Sequence, residues 1–323
     1  MIDRRNTHAC FAMLATLAGW SVFVRAATVD IPVLNAQKIA PNVYMVQGQP
    51  GVASRENRGF NSNAGFVVTS DGVVVIDALG TPALGQALVN SIRRITSKPI
   101  RTVIVTHYHA DHFYGLLAFK RAGAKIWAHA AAREYLEGPD GKARLQQRRQ
   151  DLYPWVDDKT QLVSADKWLD GDVSFKMGAT RFDVMHLGPA HSPEDVIVVV
   201  GDAGVIFTGD ILFTGRIPFV GEADSKRWLE TFSRLLALRP TVMVTGHGKP
   251  SLKPEADLVL TRDYLIYLRE VMGKAVDDFV PFDEAYAKTD WSRFAKQPAF
   301  EAANRINAYG TYLLMEKESL VKK

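Results

Sequence analysis

Short apolar runs alternate with polar turns and amphipathic segments along most of this chain, and this pattern predicts an α/β fold. Two aliphatic runs around a Ser-Asp-Gly turn predict a β-hairpin over residues 64–78. Thr81, a suitable N-cap, and Pro82, a suitable first helical residue, predict the start of an amphipathic helix. Helical spacing predicts its buried face: Leu84, Leu88, Ile92 and Ile95.

The alternation continues to about residue 250. Strands are predicted in the runs NVYMVQG, IRTVIVTH, AKIWAHA, TRFDVMHLG, DVIVVVGD, GVIFTGD and TVMVTGHG. Helices are predicted in GLLAFKRAG, which Gly123 ends, in the polar residues 137–161, and in SKRWLETFSRLLAL. From Pro254 the chain is predicted to be mostly helical, with three core candidates: Leu258, Leu265 and Leu268. This order of elements predicts sheets with helices outside them, in one domain of two similar halves.

The first 26 residues have the composition of a secretory signal peptide. Arg4 and Arg5 precede about sixteen mainly apolar residues, and small side chains flank the bond after Ala26. The apolar stretch is short for a membrane span of about twenty residues. We therefore expect a signal peptide at 1–26, a main domain at 27–253 and a helical C-terminal extension at 254–323 packed on that domain. The mature protein is expected in the periplasm or secreted, without stable membrane insertion.

Charge and cysteine content narrow the functional classes. Of the net charge of +4, half lies in the first 26 residues, so the mature chain is nearly neutral and no nucleic-acid partner is expected. The single cysteine, Cys10, falls in the predicted signal peptide. The mature chain then has no disulfide and no thiolate, so any metal must be held by His, Asp or Glu.

A dense group of potential metal ligands follows the strand IRTVIVTH. The segment HYHADH places His107, His109, Asp111 and His112 within six consecutive positions. A polar turn with hydrogen-bonded histidines would explain one such residue. Four are hard to explain by packing, because each would need its own buried partner. The segment therefore predicts a metal site at the end of a strand, where loops commonly carry function.

Two later segments have the same form, an aliphatic strand that ends in a ligand-type residue. The run IFTGDILF carries Asp210 at a strand end, and VMVTGHGKP carries His247 after Gly246, where the missing side chain lets the backbone approach closely. Either His186 or His191 contributes from VMHLGPAHSPED. His191 is favoured, because it lies in a proline-flanked loop, whereas His186 ends a strand.

In this order and at these separations, HYHADH, GPAHSPED, FTGD and TGHG resemble the metallo-β-lactamase superfamily over residues 43–250. The resemblance implies a four-layer αββα sandwich of two mixed β-sheets with external helices. Within the superfamily, the segment GRIPFVGEADSKRWL, the signal peptide and the helical tail resemble the periplasmic quinoprotein relay system zinc metallohydrolases. That narrower resemblance implies a functional link to quinoprotein dehydrogenases.

The resemblance also implies a ligand set for two Zn²⁺ ions, with iron or manganese as alternatives. One ion would be held by His107, His109 and His191, and the other by Asp111, His112 and His247, with Asp210 bridging the two. Imidazole and carboxylate suit zinc, and three protein ligands per ion leave positions for water and a small-molecule substrate.

The implied activity is hydrolysis of an ester, thioester, lactone or related bond by a metal-bridging hydroxide. Asp111 and Asp210 are the catalytic candidates, with a metal or Asp111 assisting the leaving group. Asp77 resembles a family position that supports the site without ligating a metal. For Arg216 and Lys249 we weigh contact with an anionic substrate against a solvated surface role. The Gly-rich loop at residues 48–63 is either a substrate clamp or an exposed connection.

Three alternative functions remain open from the sequence. One is β-lactamase activity, although the bridging Asp210 is absent from many lactamases of the superfamily. A second is a mononuclear iron persulfide dioxygenase, since the same ligands suit iron. The third is a non-catalytic accessory of quinoprotein dehydrogenases. His129 is expected to be structural.

Overall fold

The computed structural model describes residues 30–321 of the 323-residue chain. The predicted signal peptide, with His8 and Cys10, lies outside the described residues. Within the described range, no helix has both the length and the apolar character that crossing a membrane requires.

The first sheet has seven strands in chain order. They are β1 (Gln37–Ala40), β2 (Val43–Val46), β3 (Ala64–Val68), β4 (Val73–Ile76), β5 (Ile100–Ile104), β6 (Lys125–His129) and β7 (Lys167–Leu169). Strands β1 to β4 pair antiparallel, and β4 to β7 pair parallel. Parallel neighbours need crossover connections, which here are helical. The helices are α1 (Pro82–Ile95), α2 (Ala110–Phe113), α3 (Leu116–Arg121), α4 (Ala132–Glu137) and α5 (Pro139–Asp151).

The second sheet has five strands in the order β12-β11-β10-β9-β8. They are β8 (Val173–Met177), β9 (Thr180–His186), β10 (Val196–Val200), β11 (Val205–Phe213) and β12 (Val242–His247). Strands β8 to β11 pair antiparallel, whereas β11 and β12 pair parallel across helix α6 (Ser225–Ala237). The chain ends in α7 (Pro254–Asp257), α8 (Val259–Asp277), α9 (Phe282–Lys288) and α10 (Phe300–Val321).

Three hydrophobic clusters arrange these elements in four layers. A middle cluster joins the inner faces of the two sheets, with Val74 and Ile104 from the first and Val198 and Phe207 from the second. A second cluster lies between the first sheet and its helices. The third cluster lies between the second sheet and the helices on its outer side, and it contains residues of β11, of α6 and of the C-terminal helices. The predicted sandwich of two mixed sheets with external helices is confirmed.

Most local predictions agree with the observed elements. Strands β3 and β4 form the predicted hairpin, and the Thr81 hydroxyl caps α1 by accepting a hydrogen bond from the Leu84 backbone N–H at 3.2 Å. Two predictions were wrong in part. Ile95 is 39% exposed, because it occupies the last turn of α1 beyond the edge of the core. The helix predicted over 137–161 ends at Asp151, and no helix covers the remaining ten residues.

Candidate metal centre

The ends of several strands converge at one edge of the sandwich. The loop after β5 carries His107 and His109, and the short helix α2 carries Asp111 and His112. His191 lies in the loop between β9 and β10. Asp210 lies within β11, and His247 is the last residue of β12. All seven predicted ligands therefore reach the same place from four separate chain segments.

Their donor atoms form two groups that could each hold a metal ion. Within each group, the donor atoms lie within 4.8 Å of one another. The first group consists of His107, His109, His191 and Asp210, and the second of Asp111, His112 and His247. Asp210 lies between the groups. Its Oδ2 atom is 3.4 Å from His191 Nε2 and 3.3 Å from His247 Nε2. One carboxylate thus contacts donors of both groups.

Hydrogen bonds at the outer nitrogens orient three of the histidine rings. His107 Nδ1 lies 3.1 Å from the Thr106 hydroxyl, and His112 Nδ1 lies 2.9 Å from Asp77 Oδ2. His247 Nδ1 lies 2.7 Å from the Asn61 backbone oxygen, to which it donates. When Nδ1 carries the proton, the lone pair lies on Nε2, which points into the cluster.

The inner atoms lack the partners that buried polar groups normally have. His107 Nε2, His112 Nε2 and Asp210 Oδ1 are buried without a hydrogen bond among the described residues. His112 Nε2 and Asp210 Oδ1 lie 3.2 Å apart but are not aligned for a hydrogen bond. His191 Nε2 and His109 Nδ1 approach to 2.8 Å, which requires a proton or a cation between them. These donors therefore fit divalent cations of the zinc type.

The electrostatics of the cluster point the same way. Burial, together with the neighbouring charge of His112, lowers the pKa of His107 well below its ordinary value. Burial and the proximity of His109 lower the pKa of His191 to about 3. Both rings are therefore neutral at pH 7, the form in which histidine binds a metal.

The second group behaves in the opposite way. Burial acts to lower the pKa of His112, but the carboxylates of Asp210, Asp111 and Asp77 outweigh it and raise this pKa well above the ordinary value. Burial acts to raise the pKa of Asp111 and of Asp210, but the nearby imidazoles hold both below the ordinary range. The buried Asp210 and the half-buried Asp111 thus attract positive charge to this point, and the His112 proton supplies part of it when no metal is bound.

Asp77 lies behind the cluster, as predicted. Besides contacting His112, its carboxylate accepts hydrogen bonds from the backbone N–H and the hydroxyl of Thr106, both at 2.8 Å. Its backbone has a φ of +61°, in the left-handed region that costs a non-glycine residue roughly 1–2 kcal/mol. The surrounding contacts hold this conformation, so Asp77 links the orientations of the two histidine groups through His112 and Thr106.

Sequence reasoning missed the supporting role of residues 61–63. The Asn61 amide donates to Asp111 Oδ2 at 2.8 Å, and the Ser62 hydroxyl donates to the Asp111 backbone oxygen at 2.5 Å. The Asn63 amide donates to the backbone oxygens of Thr245 and Gly248 at 2.8 and 2.9 Å. Three consecutive small polar residues just before a strand were the available signal. The loop at 48–63 therefore borders the centre and holds Asp111 in place.

Gly246 shows why a small residue precedes His247. A Cβ atom at this position would lie 1.9 Å from Asp210 Oδ1. Only glycine allows β12 to pass this close to the buried carboxylate. The predicted close approach of the backbone is confirmed.

The two basic residues near the centre differ in environment. Arg216 is only 5% exposed and donates to the Gly51 backbone oxygen at 2.6 Å, so a solvated surface role does not apply to it. Its Nη1 atom lies 3.4 Å from His247 Nδ1. Lys249 is exposed and lines the same cleft as Arg216, His247 and Asn61.

His186 and His129 lie outside both ligand groups. Their rings stack on each other with centroids 3.8 Å apart. His186 Nε2 is 2.9 Å from the Pro193 backbone oxygen, and His129 Nδ1 accepts a hydrogen bond from the Ala131 backbone N–H. Packing and hydrogen bonds account for this pair. Of the two histidines considered in the β9–β10 region, His191 is the one that lies in the cluster.

Comparisons with known proteins agree with this geometry. A family model described as Metallo-beta-lactamase superfamily matches residues 57–247. Metallo-beta-lactamase IND-1 of Chryseobacterium indologenes is 26% identical over 195 residues, which cover 59% of this chain and 73% of that protein. A linear primary-alkylsulfatase of Pseudomonas sp. (strain ATCC 19151) is 22% identical over 259 residues, covering 69% of this chain and 49% of that protein.

The solved structure of the sec-alkylsulfatase Pisa1 from Pseudomonas sp. has the same fold. It superimposes with a TM-score of 0.65 at 17% identity and covers 87% of this chain and 50% of that one. The chain thus spans about half the length of the alkylsulfatases that it matches. Because the family match covers more than half of the present sequence and contains the whole ligand cluster, this chain is a member of the metallo-β-lactamase superfamily of metal-dependent hydrolases.

Proposed function

We propose that this protein is a dinuclear zinc hydrolase of ester, thioester, lactone or related bonds. The observation that carries the proposal is that one buried carboxylate, Asp210, lies between two groups of histidine donors, and that an inner nitrogen of each group, His107 Nε2 and His112 Nε2, is buried without a hydrogen bond among the described residues. When bound, two zinc ions would lower the pKa of a shared water to near neutrality and polarise the scissile bond. His107, His109 and His191 would hold one ion.

Asp111, His112 and His247 would hold the other ion, and Asp210 would bridge the pair. The Asp210 side chain is 4% exposed, and its position between the groups would fix the separation of the two ions. Hydrogen bonds from the histidine Nδ1–H groups to oxygens of Thr106, Asp77 and Asn61 would keep the Nε2 lone pairs directed inward before substrate binds.

Asp111 is the carboxylate placed to serve the leaving group. Its side chain is 16% exposed, against 4% for Asp210, so it reaches the side of the centre that substrate can approach. The Asn61 amide holds its Oδ2 atom, and its lowered pKa keeps it ionised, so it offers a negative charge beside the reacting bond. Arg216 adds a buried positive charge beside His247, which favours a substrate with a negative charge near the reacting bond.

The experiment that tests the proposal combines elemental analysis with a hydrolysis screen on the mature protein. The screen includes thioesters, lactones, phosphodiesters and cephalosporins, and alkyl sulfates because an alkylsulfatase is among the relatives. We expect about two zinc ions per chain and an activity that disappears both on chelation and in His109→Ala. One iron and no zinc would instead favour a persulfide dioxygenase. Bound metal with no turnover would favour a non-catalytic accessory.

β-Lactamase activity is the second candidate function. It is favoured by the 26% identity to metallo-beta-lactamase IND-1. The cephalosporin arm of the screen separates it from the main proposal, since a lactamase would turn over cephalosporins faster than lactones or thioesters.

We also propose export to the periplasm and a functional link to quinoprotein dehydrogenases. The proposal of export is supported by the signal-like composition of residues 1–26. Mass spectrometry of the protein from its native compartment is expected to find an N-terminus at about residue 27. Retention of residue 1 would contradict export by cleavage.

A further inference from the structure

A cleft of about 520 Å³ opens beside the second ligand group. His247 and Asn61, which both belong to the metal centre or hold it, form part of its wall. The loop at residues 48–63 and the turn after β12 form the two sides. Of the seven candidate ligands, only His247 lines this cleft, so a molecule bound there would contact the metal centre at His247.

Positive charge dominates the lining. Arg216, Lys249 and Lys253 contribute three cations, and Asp257 contributes one carboxylate. The Arg216 Nε and Nη1 atoms donate to backbone oxygens of Ile217 and Gly51, whereas Nη2 has no hydrogen-bond partner among the described residues. The guanidinium is thus held in place by two of its nitrogens and keeps donors available for an anion.

The remaining wall is mostly apolar. Pro50, Pro250 and Leu252 line the cleft, and Leu252 is 69% exposed. An exposed leucine alone would be unremarkable for a protein surface. In a cleft that it shares with two prolines, three cations and His247, it provides a surface that an aliphatic or aryl group can cover.

The turn that carries these residues has a fixed conformation. Gly248 has a φ of +89°, and a Cβ atom there would lie 2.0 Å from the Thr214 backbone oxygen. The Thr214 hydroxyl donates to the Lys249 backbone oxygen at 2.6 Å, and Ser251 and Met243 exchange backbone hydrogen bonds. The backbone from His247 to Ser251 is therefore anchored to β12, so Lys249 emerges from a rigid part of the cleft mouth.

We propose that the substrate of this hydrolase is an amphiphilic anion. Its carboxylate, sulfate or similar anionic group contacts Arg216, Lys249 and Lys253, and its apolar segment covers Leu252 and the adjacent prolines. The scissile bond then lies toward His247, the one candidate ligand in the lining. This assignment rests on the proposed hydrolase function, because it places the substrate relative to that centre.

Binding of octane-1-sulfonate to the metal-loaded protein tests the cleft without requiring turnover, since its C–S bond is not hydrolysed. Isothermal titration calorimetry compares the wild type with Lys249→Gln/Lys253→Gln. Both lysines are exposed, so the variant is expected to fold. The control, Lys176→Gln/Lys296→Gln, removes the same charge from two exposed lysines outside the cleft lining.

We expect the cleft variant to bind octane-1-sulfonate about tenfold more weakly than the control, because two charge contacts are lost. Leu252→Ser is expected to weaken octane-1-sulfonate about fivefold and methanesulfonate hardly at all, since only the former covers the leucine. Equal dissociation constants for the cleft and control variants would overturn the assignment. That result would mean that the sulfonate binds elsewhere, for example at the metals.

A paired ester assay separates this inference from the proposed function. Mono-4-nitrophenyl glutarate carries a carboxylate, and 4-nitrophenyl butyrate does not. We expect the cleft variant to raise KM only for the glutarate ester, with little change in kcat. In one outcome, chelation abolishes hydrolysis but the cleft variant binds the sulfonate as tightly as the wild type. This outcome would contradict the assignment of the cleft and support the proposed hydrolase function. In the opposite outcome, the cleft variant binds the sulfonate more weakly and the protein hydrolyses none of the substrates. This outcome would support the assignment of the cleft as an anion site and contradict the hydrolase function.

Discussion

Asp77→Asn tests whether contacts behind the ligands determine metal affinity. The carboxylate accepts three hydrogen bonds, from the Thr106 backbone N–H and hydroxyl and from His112 Nδ1. Asparagine has the same shape but only one acceptor oxygen. When that oxygen accepts the hydrogen bond from the Thr106 backbone N–H, the amide nitrogen faces His112 Nδ1. The ring then changes tautomer and places its proton on Nε2, where the metal would bind.

Replacing a partner of this kind typically weakens metal binding by about 10- to 100-fold. This corresponds to about 1.4–2.8 kcal/mol of binding free energy. A buried donor left without a partner also lowers the free energy of unfolding by about 1–3 kcal/mol. Asp77 is 3% exposed, so water does not compensate for the lost acceptor.

The assay is competition for zinc between the protein and a chromophoric chelator, which resolves two binding steps. We expect the affinity of one step to fall by the amount above, because His112 belongs to the second group, and the other step to change less. Asp183→Asn is the matched control, because it removes a carboxylate of β9 that pairs with Arg181 far from the ligands. Two zinc steps of wild-type affinity in Asp77→Asn would refute the reasoning.

Three further predictions concern the centre itself. Because carboxylates raise the pKa of His112 well above its ordinary value, the metal-free ring is protonated at pH 7 and zinc must displace that proton. Zinc affinity should therefore rise by up to tenfold per pH unit until the pH passes this pKa. Calorimetry in buffers of different ionisation enthalpy is expected to show that zinc binding releases about one proton. Zinc binding without proton release would contradict the assignment. Gly246→Ala places a methyl group against Asp210 and should lower the free energy of unfolding by about 1–3 kcal/mol and the zinc content to one ion or less, measured by thermal unfolding and elemental analysis. A variant that keeps both ions would show that β12 can move away. Asn61→Ala removes the amide that holds Asp111 and should lower kcat about tenfold, or about 1.4 kcal/mol, with zinc content unchanged; wild-type kcat would exclude this positioning role.

Local patterns along the chain predicted much of the fold. The hairpin of β3 and β4, the capped helix α1 and the apolar strands follow from periodicities that extend over only a few residues. Short strands without a clear pattern, β1, β7 and β8, were not predicted. Because these strands lie at or near sheet edges, their side chains are buried to different degrees. Apolar and polar residues therefore alternate only weakly along them.

Candidate ligands were also visible in the sequence, because four of them occupy six consecutive positions. Their mutual geometry was not. The proline-flanked loop favoured His191 over His186, but the approach of His191 to Asp210 of β11 depends on how the loop between β9 and β10 packs in the folded chain. The buried position of Arg216 likewise depends on Gly51, which lies 165 residues away in the chain.

The sequence by itself therefore determined which elements form and which side chains are able to bind a metal, since propensity, periodicity and donor chemistry are properties of nearby residues. Only the tertiary structure decided which of these side chains meet and what holds them. Asn61 contacts Asp111 across 50 residues, and Asn63 contacts Gly248 across 185. Such contacts arise from the packing of the two sheets, because the loops at their shared edge come together only when both sheets have formed.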